Sequence, residues 1–297
     1  MGTEPSASIT MHNGLAVYRF GTGEPILFMP GPHRFQRPGL RSADALIQGL
    51  TSLDRTVTTF DPPGSGRSTR PAHLSMDEML ACTDEALDTS GLHRPVDAIG
   101  HSMGGFTLIA YALRRPQRIA RLVLVGTGAG GYMQARGALW NRRHPDFAGM
   151  AALGILQTAI PTRGPERLLR NYIERRSFVD PSQAHPTPVH PTDWLQPRSG
   201  HTEWHRIAVR LDYRPRLRDI VAPSLILCGR FDPQFALPCS EQLAHVLPHA
   251  RLQVFERSGH YPFLEEPERF WSDVRGFLAN TAAAAPPDSA SPTGGTS

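Results

Sequence analysis

Short apolar stretches rich in β-branched residues alternate along the chain with longer stretches of helical periodicity. The first kind predicts strands, because branched side chains fit a pleated sheet that is covered on both faces. The predicted strands are Leu15–Phe20, Ile26–Met29, Thr56–Phe60, Val96–Gly100, Leu122–Val125, Ser224–Cys228 and Arg251–Phe255. The predicted helices are Ser42–Leu50, Ser75–Ser90, Met103–Arg114, Pro238–Leu247 and Pro267–Leu278. This alternation predicts an α/β protein with a mostly parallel sheet covered by helices.

The alternation stops at about Thr127 and resumes at Ser224. The region between them mixes Arg, Pro, Trp and His, and its stretch VDPSQAHPTPVHPTDW has too much proline for regular structure. We therefore expect residues 1–126 and 221–280 to form the core, and residues 127–220 to form a mostly helical insertion over the edge of the sheet. Residues 281–297 are small and polar, which predicts a disordered tail.

Composition and charge exclude several classes of function. The 297-residue chain has a net charge of +4 with its basic residues spread out, so we expect no nucleic-acid partner. All 31 basic residues are Arg, which excludes a lysine Schiff base and a Walker A loop. The three cysteines have no C-x-x-C spacing and indicate a reducing, cytoplasmic setting. We also expect no membrane span and no secretory signal.

A candidate nucleophile follows the predicted strand Val96–Gly100. The stretch GHSMGG places Ser102 in a G-x-S-x-G pattern between that strand and a helix. So tight a turn needs small residues two positions on either side, and it exposes the serine hydroxyl. It also directs the N–H of Met103 at the reacting carbonyl oxygen, beside a helix N-terminus that favours negative charge.

Two later loops supply the predicted acid and base. Asp232 follows the predicted strand Ser224–Cys228, and His260 follows the last predicted strand. Loops at the carboxyl ends of parallel strands form ligand sites in open α/β sheets. His260 can accept the proton of Ser102 near neutral pH, and Asp232 would fix the imidazole tautomer. Three other acids are poorer candidates, because they precede strands or lie in the insertion: Asp97, Asp212 and Asp219.

These residues resemble the α/β-hydrolase superfamily, in its capped branch of esterases, proline iminopeptidase-like enzymes and carbon–carbon bond hydrolases. The similarity covers roughly Leu15 to Leu278 and includes GHSMGG, SGHYPFLEEPERF and the loop DPPGSGRS that begins at Asp61. It implies a doubly wound sheet, a helical cap formed by the insertion, a serine triad and no cofactor. A serine nucleophile also excludes the dehalogenases and epoxide hydrolases of this fold, which need a carboxylate at that position.

The sequence departs from the family at LFMPGPHR, where the second oxyanion N–H should lie. Pro30 stands where the family usually has His, and Pro32 stands where it has the donor, although proline carries no N–H. Three interpretations remain open: the N–H of His33 or Arg34 donates from a shifted loop, the His33 side chain donates, or the reaction develops little oxyanion character. The predicted oxyanion and substrate contacts are Met103, Gly31, Pro32, His33 and His101.

The insertion indicates the class of substrate. Residues 131–220 contain fourteen Arg against eight Asp and Glu, with aromatic residues interspersed. Because Arg pairs well with carboxylates, we expect a small molecule that carries an acid group or, given the aromatic residues, one that is apolar. The serine chemistry predicts cleavage of an ester, thioester, lactone or amide bond. One alternative is a non-hydrolytic enzyme that performs a cyclisation, retro-aldol step or rearrangement. Another is a ligand receptor without turnover.

Two further possibilities depend on residues of the insertion. An aminopeptidase would need cap carboxylates for a free amine, and the candidates are Glu166, Glu174 and Glu203. His201 and His205 would share one helical face, but the intervening Glu203 does not complete H-E-x-x-H and no third ligand is evident. We therefore predict no metal site. The oligomeric state stays open.

Overall fold

A computed structural model describes most of the chain. The described residues are 7–32, 38–70, 75–130, 137–139, 141–160, 163–184 and 210–279. The predictions for His33, for the His201 and His205 pair and for the tail 281–297 lie outside the described residues. None of the described helices is both long and apolar enough to cross a membrane.

Within the described residues, eight strands form one sheet in the spatial order β1-β2-β4-β3-β5-β6-β7-β8. The strands are β1 (Ala7–His12), β2 (Leu15–Phe20), β3 (Glu24–Met29), β4 (Arg55–Phe60), β5 (Val96–His101), β6 (Ile119–Val125), β7 (Ser224–Gly229) and β8 (Ala250–Phe255). β1 and β2 are antiparallel to their neighbours, and every pair from β4 to β8 is parallel. The mostly parallel sheet that the sequence predicted is confirmed.

Helices follow the strands and cover both faces of the sheet. They are α1 (Arg41–Thr51), α2 (Met76–Thr89), α3 (Met103–Arg114), α4 (Phe147–Ala159), α5 (Arg163–Ser177), α6 (Leu237–Val246), α7 (Pro262–Glu265) and α8 (Pro267–Ala279). One hydrophobic core contains residues of α2, α3 and α6, and the other contains residues of α1 and α8. This two-sided arrangement is the doubly wound α/β architecture.

Strand β3 shows how the two cores share one element. Leu27 and Met29 belong to the core on the α3 side, whereas Ile26 and Phe28 belong to the core on the α1 side. All four side chains are buried, because successive residues of a strand point to opposite faces and both faces are covered. The strand therefore appears in the sequence as an unbroken apolar run.

The order of the strands places a crevice between β3 and β5. Strand β4 lies next to β3 on one side within the sheet, and the chain then returns to place β5 next to β3 on the other side. Such a reversal leaves an opening at the carboxyl ends of the two strands, where open α/β sheets bind ligands. Met29 pairs with Gly100 in this register, so Gly31 and Ser102 follow at the edges of the opening.

The described part of the insertion contains α4 and α5, which lie between β6 and β7 in the chain and pack against each other. Its helical character agrees with the sequence, and its role as a cap stays a prediction. The sequence failed to predict β1. This strand lies exposed at one edge of the sheet, so it lacks the apolar run by which the buried strands are identified.

Candidate active site

Ser102 occupies the single-residue turn between β5 and α3. Its backbone has φ 54° and ψ −124°, a positive-φ conformation that non-glycine residues rarely adopt and that costs about 1–3 kcal/mol. Side chains two residues away on either side would prevent this turn. A Cβ on Gly100 would lie 2.7 Å from the Cα of Gly105, and a Cβ on Gly104 would collide with the carbonyl oxygen of Met29. The G-x-S-x-G spacing is therefore a packing requirement.

Hydrogen bonds from β6 hold this turn in place. The N–H of Ser102 donates to the carbonyl oxygen of Val125 at 2.9 Å, and the Thr127 hydroxyl donates to the carbonyl oxygen of Ser102 at 2.7 Å. Ser102 also occupies the position that caps α3, but its side chain makes no capping hydrogen bond to that helix. The hydroxyl is therefore not consumed by the role that serine usually has at a helix start.

Asp232 and His260 form a buried pair at the ends of β7 and β8. Oδ2 of Asp232 lies 2.8 Å from Nδ1 of His260, and both side chains are almost fully inaccessible to water. The other carboxylate oxygen accepts the N–H groups of Gln234 at 2.8 Å and Phe235 at 2.9 Å. Because the carboxylate accepts, Nδ1 of His260 carries the hydrogen. Nε2 then has the lone pair that can remove a proton from an alcohol.

The backbone just after β6 passes close to this pair, and the residue at that point is Gly126. Gly126 has φ 48°, and a Cβ there would lie 3.0 Å from Oδ2 of Asp232 and 3.2 Å from Nδ1 of His260. Both distances are shorter than ordinary van der Waals contact with carbon. Gly126 therefore lets the acid and the base approach the end of β6.

His101 has a different partner from the one predicted. The sequence placed it at the substrate, whereas its Nε2 lies 2.9 Å from the carbonyl oxygen of His260. Its buried ring lies 5.1 Å from the ring of Phe263, which belongs to the core on the α1 side of the sheet. Burial and the nearby charge of His260 hold the pKa of His101 well below its usual value, so the ring is neutral with its hydrogen on Nε2. His101 therefore supports the backbone of His260.

Two backbone segments border the Ser102 turn. The N–H of Met103 lies in the first turn of α3, where N–H groups have no acceptor within the helix. The backbone nitrogen of Gly31 lies 3.5 Å from the position of a Cβ on Gly104, so it borders the same turn. Pro30 and Pro32 on either side of Gly31 carry no N–H.

This geometry agrees with the comparisons with known proteins. A family model described as the α/β hydrolase fold matches residues 34–162. A 2-hydroxy-6-oxononadienedioate/2-hydroxy-6-oxononatrienedioate hydrolase of Dechloromonas aromatica is 30% identical over an alignment of 243 positions that covers 79% of this chain and 80% of the relative. The chain belongs to the α/β-hydrolase family. The predicted superfamily is thus confirmed, and the protein is a hydrolase.

Two further proteins resemble this α/β hydrolase. A proline iminopeptidase of Heyndrickxia coagulans is 24% identical over an alignment of 282 positions that covers 87% of this chain and 91% of the relative. The solved structure of an α/β fold family hydrolase from Bacillus anthracis has a TM-score of 0.73 and 19% identity, covering 92% of this chain and 99% of that one. At this identity the solved structure shows the fold alone.

Two glutamates hold the loop of His260, and the sequence reasoning did not identify their role. Oε2 of Glu265 accepts the N–H of Gly259 at 2.7 Å, while its Oε1 accepts the N–H of Val179 from the insertion at 2.8 Å. Oε2 of Glu266 accepts the Ser258 hydroxyl at 2.6 Å. Burial raises the pKa of Glu265, and these backbone hydrogen bonds oppose that rise. The sequence feature that could have indicated this role is the pair of adjacent acids that ends SGHYPFLEE, a few residues after His260.

The loop DPPGSGRS serves the architecture of this α/β hydrolase. Oδ2 of Asp61 accepts the N–H of Arg67 at 2.7 Å, and the Ser68 hydroxyl donates to the carbonyl oxygen of Asp61 at 2.6 Å. The same hydroxyl accepts the N–H of Ala16 from β2 at 3.0 Å. Gly66 is required because a Cβ there would collide with the Asp61 carboxylate. The motif closes a turn after β4 and ties it to the neighbouring strand.

The other predicted acids are paired with arginine. Asp97 contacts Arg121 through both carboxylate oxygens, at 2.7 and 2.8 Å, and it also contacts Arg55. Asp212 is 2.6 Å from Arg214, and Asp219 is 3.0 Å from Arg216. Among the acids that the sequence offered, the structure brings Asp232 to the histidine.

Of the three carboxylates predicted for an amine site, Glu174 is the one whose side chain the structure describes. Oε2 of Glu174 accepts the Tyr261 hydroxyl at 2.8 Å, so that part of the carboxylate is already bound. The side chain of Glu166 and all of Glu203 lie outside the described part of the chain. The one candidate whose side chain is described therefore contacts the core through that oxygen.

Proposed function

We propose that this α/β hydrolase is a serine hydrolase, which cleaves an ester, thioester, lactone or amide bond of a small molecule through an acyl-Ser102 intermediate. The observation that supports the proposal most strongly is the buried Asp232–His260 pair. It lies at the carboxyl ends of the parallel strands, as the strained Ser102 turn does. A neutral serine is a weak nucleophile, and this pair provides the base that activates it.

The reaction divides into two acyl transfers. In the first, Nε2 of His260 takes the proton of Ser102 Oγ as the oxygen attacks the substrate carbonyl carbon. The tetrahedral intermediate then collapses, the leaving group takes the proton from His260, and the acyl group stays on Ser102. In the second, His260 takes a proton from water as the water oxygen attacks the acyl carbon. The bond to Ser102 Oγ then breaks, His260 returns the proton to Oγ, and the acid leaves. Asp232 stabilises the imidazolium in both.

The developing oxyanion lies, in this proposal, between the N–H groups of Met103 and Gly31. One such donor contributes about 3 kcal/mol of transition-state stabilisation. Pro32 removes the donor that the family usually has, which predicts a slower enzyme or one with a displaced oxyanion site. The predicted contribution of His33 stays a prediction, because residues 33–37 lie outside the described structure.

A second candidate function is cleavage of a carbon–carbon bond in an oxo diacid. The Dechloromonas aromatica relative is named for substrates that are dioates, and it aligns with most of this chain. The Arg-rich insertion is compatible with a carboxylate-bearing substrate. We expect Ser102 and His260 to be required for this reaction as well.

A substrate panel with a serine variant tests the proposal. The wild-type enzyme should hydrolyse p-nitrophenyl acetate and butyrate, and Ser102→Ala should lose at least about a thousandfold in kcat/KM. Ser224→Ala is the matched control, because Ser224 is a buried serine at the opposite end of β7. Consumption of a 2-hydroxy-6-oxo dienedioate without ester hydrolysis would favour the second candidate. Equal turnover by Ser102→Ala would refute both.

A further inference from the structure

The last turn of α5, in the insertion, contacts both loops that carry the acid and the base. The carbonyl oxygen of Ser177 accepts the N–H of His260 at 2.7 Å. The hydroxyl of the same serine accepts Nε2–H of Gln234, two residues after Asp232, at 2.8 Å. Ser177 is fully buried. Gly259 allows this approach, because a Cβ there would collide with the Ser177 carbonyl oxygen.

Glu174 extends the same contact from one turn earlier in α5. Its Oε2 accepts the hydroxyl of Tyr261, the residue that follows His260, at 2.8 Å. Residues three apart in a helix lie on one face, so Glu174 and Ser177 meet the core together. Burial raises the pKa of Glu174, and the hydrogen bond from Tyr261 and the charges of His260, Arg41 and Arg170 oppose that rise.

The backbone of His260 is thus held from two sides. Its carbonyl oxygen accepts Nε2–H of His101 from the core strand β5, and its N–H donates to Ser177 from the insertion. Its side chain reaches Asp232. One of the two backbone hydrogen bonds therefore exists only while α5 is docked on the core. A histidine that must reach both an acid and an alcohol depends on backbone placement to within a fraction of an ångström.

We propose that α5 positions the acid–base pair and that Glu174 is its principal positioning side chain, acting through Tyr261. This inference rests on the proposed function, because it assigns a consequence to the placement of His260. Glu174 does not meet the substrate in this proposal. Its loss leaves a buried tyrosine hydroxyl without its acceptor and frees the residue next to His260. The insertion then contributes to the rate of the chemical step as well as to enclosure of the site.

Four variants separate positioning from substrate contact. Glu174→Ala removes the acceptor, Glu174→Gln keeps an amide oxygen in its place, and Tyr261→Phe removes the donor while it keeps the ring. Arg175→Ala is the matched control, because Arg175 is the exposed neighbour on the same helix. The measurements are kcat and KM with a p-nitrophenyl ester and the rate constant for labelling by a fluorophosphonate.

We expect Glu174→Ala and Tyr261→Phe to lower kcat and the labelling rate about 10- to 100-fold, with KM within about twofold of the wild-type value. Glu174→Gln should retain activity within about threefold, and Arg175→Ala should match the wild type. The double variant Glu174→Ala/Tyr261→Phe should lose no more than the worse single variant, since the two residues act as a unit.

Several results would overturn the inference. A raised KM with unchanged kcat in Glu174→Ala would make Glu174 a substrate contact. Wild-type labelling rates in both Glu174→Ala and Tyr261→Phe would show that the contact is irrelevant to the pair. Losses that multiply in the double variant would show that Glu174 does not act through Tyr261. If the wild type itself is not labelled, the proposed function fails, which distinguishes the two claims.

Discussion

The two ends of the parallel sheet each bury a carboxylate, and the two carboxylates have different partners. At the amino ends of the strands, Asp97 lies between Arg121 and Arg55. At the carboxyl ends, Asp232 faces His260 and two backbone N–H groups. Both acids are almost fully buried. Burial of a carboxylate therefore does not distinguish the site from the scaffold, whereas the identity of its partner does.

The partner decides what each carboxylate can do. Arginine is a hydrogen-bond donor only, so both guanidinium groups act on Asp97 as fixed counterions in a structural cluster. Nε–H and Nη2–H of Arg121 donate to the two oxygens of Asp97, and its Nη1–H donates to the carbonyl oxygen of Leu278 at 2.7 Å. That network ties the end of α8 to the sheet. Histidine, in contrast, offers one nitrogen to the carboxylate and keeps the other for a substrate proton.

The largest expected effect is on catalysis at the carboxyl ends. Asp232→Asn should lower kcat about 10⁴-fold, because an amide no longer fixes the His260 tautomer that leaves a lone pair on Nε2. The side-chain oxygen of asparagine can still accept the N–H groups of Gln234 and Phe235, so we expect the fold to persist. Steady-state kinetics at constant protein concentration, together with circular dichroism, check this outcome. Retention of more than a tenth of the activity would contradict the assigned role.

The reverse result is expected at the amino ends. Asp97→Asn should lower the free energy of unfolding by about 3 kcal/mol, because it leaves buried arginine charge without its counterion. The kcat of the folded enzyme should stay within about twofold of wild type. Urea denaturation measures the first quantity, and kinetics well below the denaturation midpoint measure the second. If Asp97→Asn lowered kcat as strongly as Asp232→Asn, the separation of the two ends would be wrong.

A smaller effect is expected where the core meets the site. Gly104→Ala should lower the free energy of unfolding by about 2 kcal/mol and also lower kcat, because its Cβ would displace the end of β3 beside Gly31. Gly276→Ala in α8 is the control, since a Cβ there meets nothing within 4 Å. That change should stabilise the protein by about 0.5–1 kcal/mol. Equal effects of the two changes on unfolding would contradict the packing argument.

The smallest effect concerns the pH dependence of stability. The pKa of His101 is depressed in the folded protein, so the unfolded chain binds the proton first as the pH falls below the usual histidine pKa. Stability is therefore greatest above that pKa and falls below it, by about 1 kcal/mol between pH 6.5 and 5.5. His101→Asn should remove this part of the loss. Urea midpoints of the wild type and His101→Asn at both pH values measure how much stability each protein loses. An equal loss in the two proteins would contradict the prediction.

The sequence predicted the buried elements well because their signals are local. Helix α3 begins and ends where expected, since the Ser102 turn fixes its start and Pro116 prevents its continuation beyond Arg114. The predicted start of α2 was also sound, because the Ser75 side chain accepts the N–H of Glu78 as a helix cap. The exposed β1 escaped prediction for the opposite reason: its pairing with β2 is a property of the sheet.

The three residues that we propose to react could be named from the sequence, whereas the side chains that hydrogen-bond their loops could not. Ser102, Asp232 and His260 each follow a strand, and the topology alone brings such positions to one edge. His101 was expected at the substrate, but its Nε2 lies 2.9 Å from the carbonyl oxygen of His260. Glu174 and Glu265 act through hydrogen bonds between the insertion and a core loop. No spacing rule in a single sequence encodes such long-range contacts.

The most direct test of the central claim is to locate the covalent adduct. Incubation with a fluorophosphonate, followed by proteolysis and mass spectrometry, should place one phosphonyl group on Ser102 in the wild-type protein. Asp232→Asn should form the same adduct much more slowly, and Asp97→Asn should form it at nearly the wild-type rate. An adduct on another residue, or an equal rate of labelling in Ser102→Ala, would contradict the account.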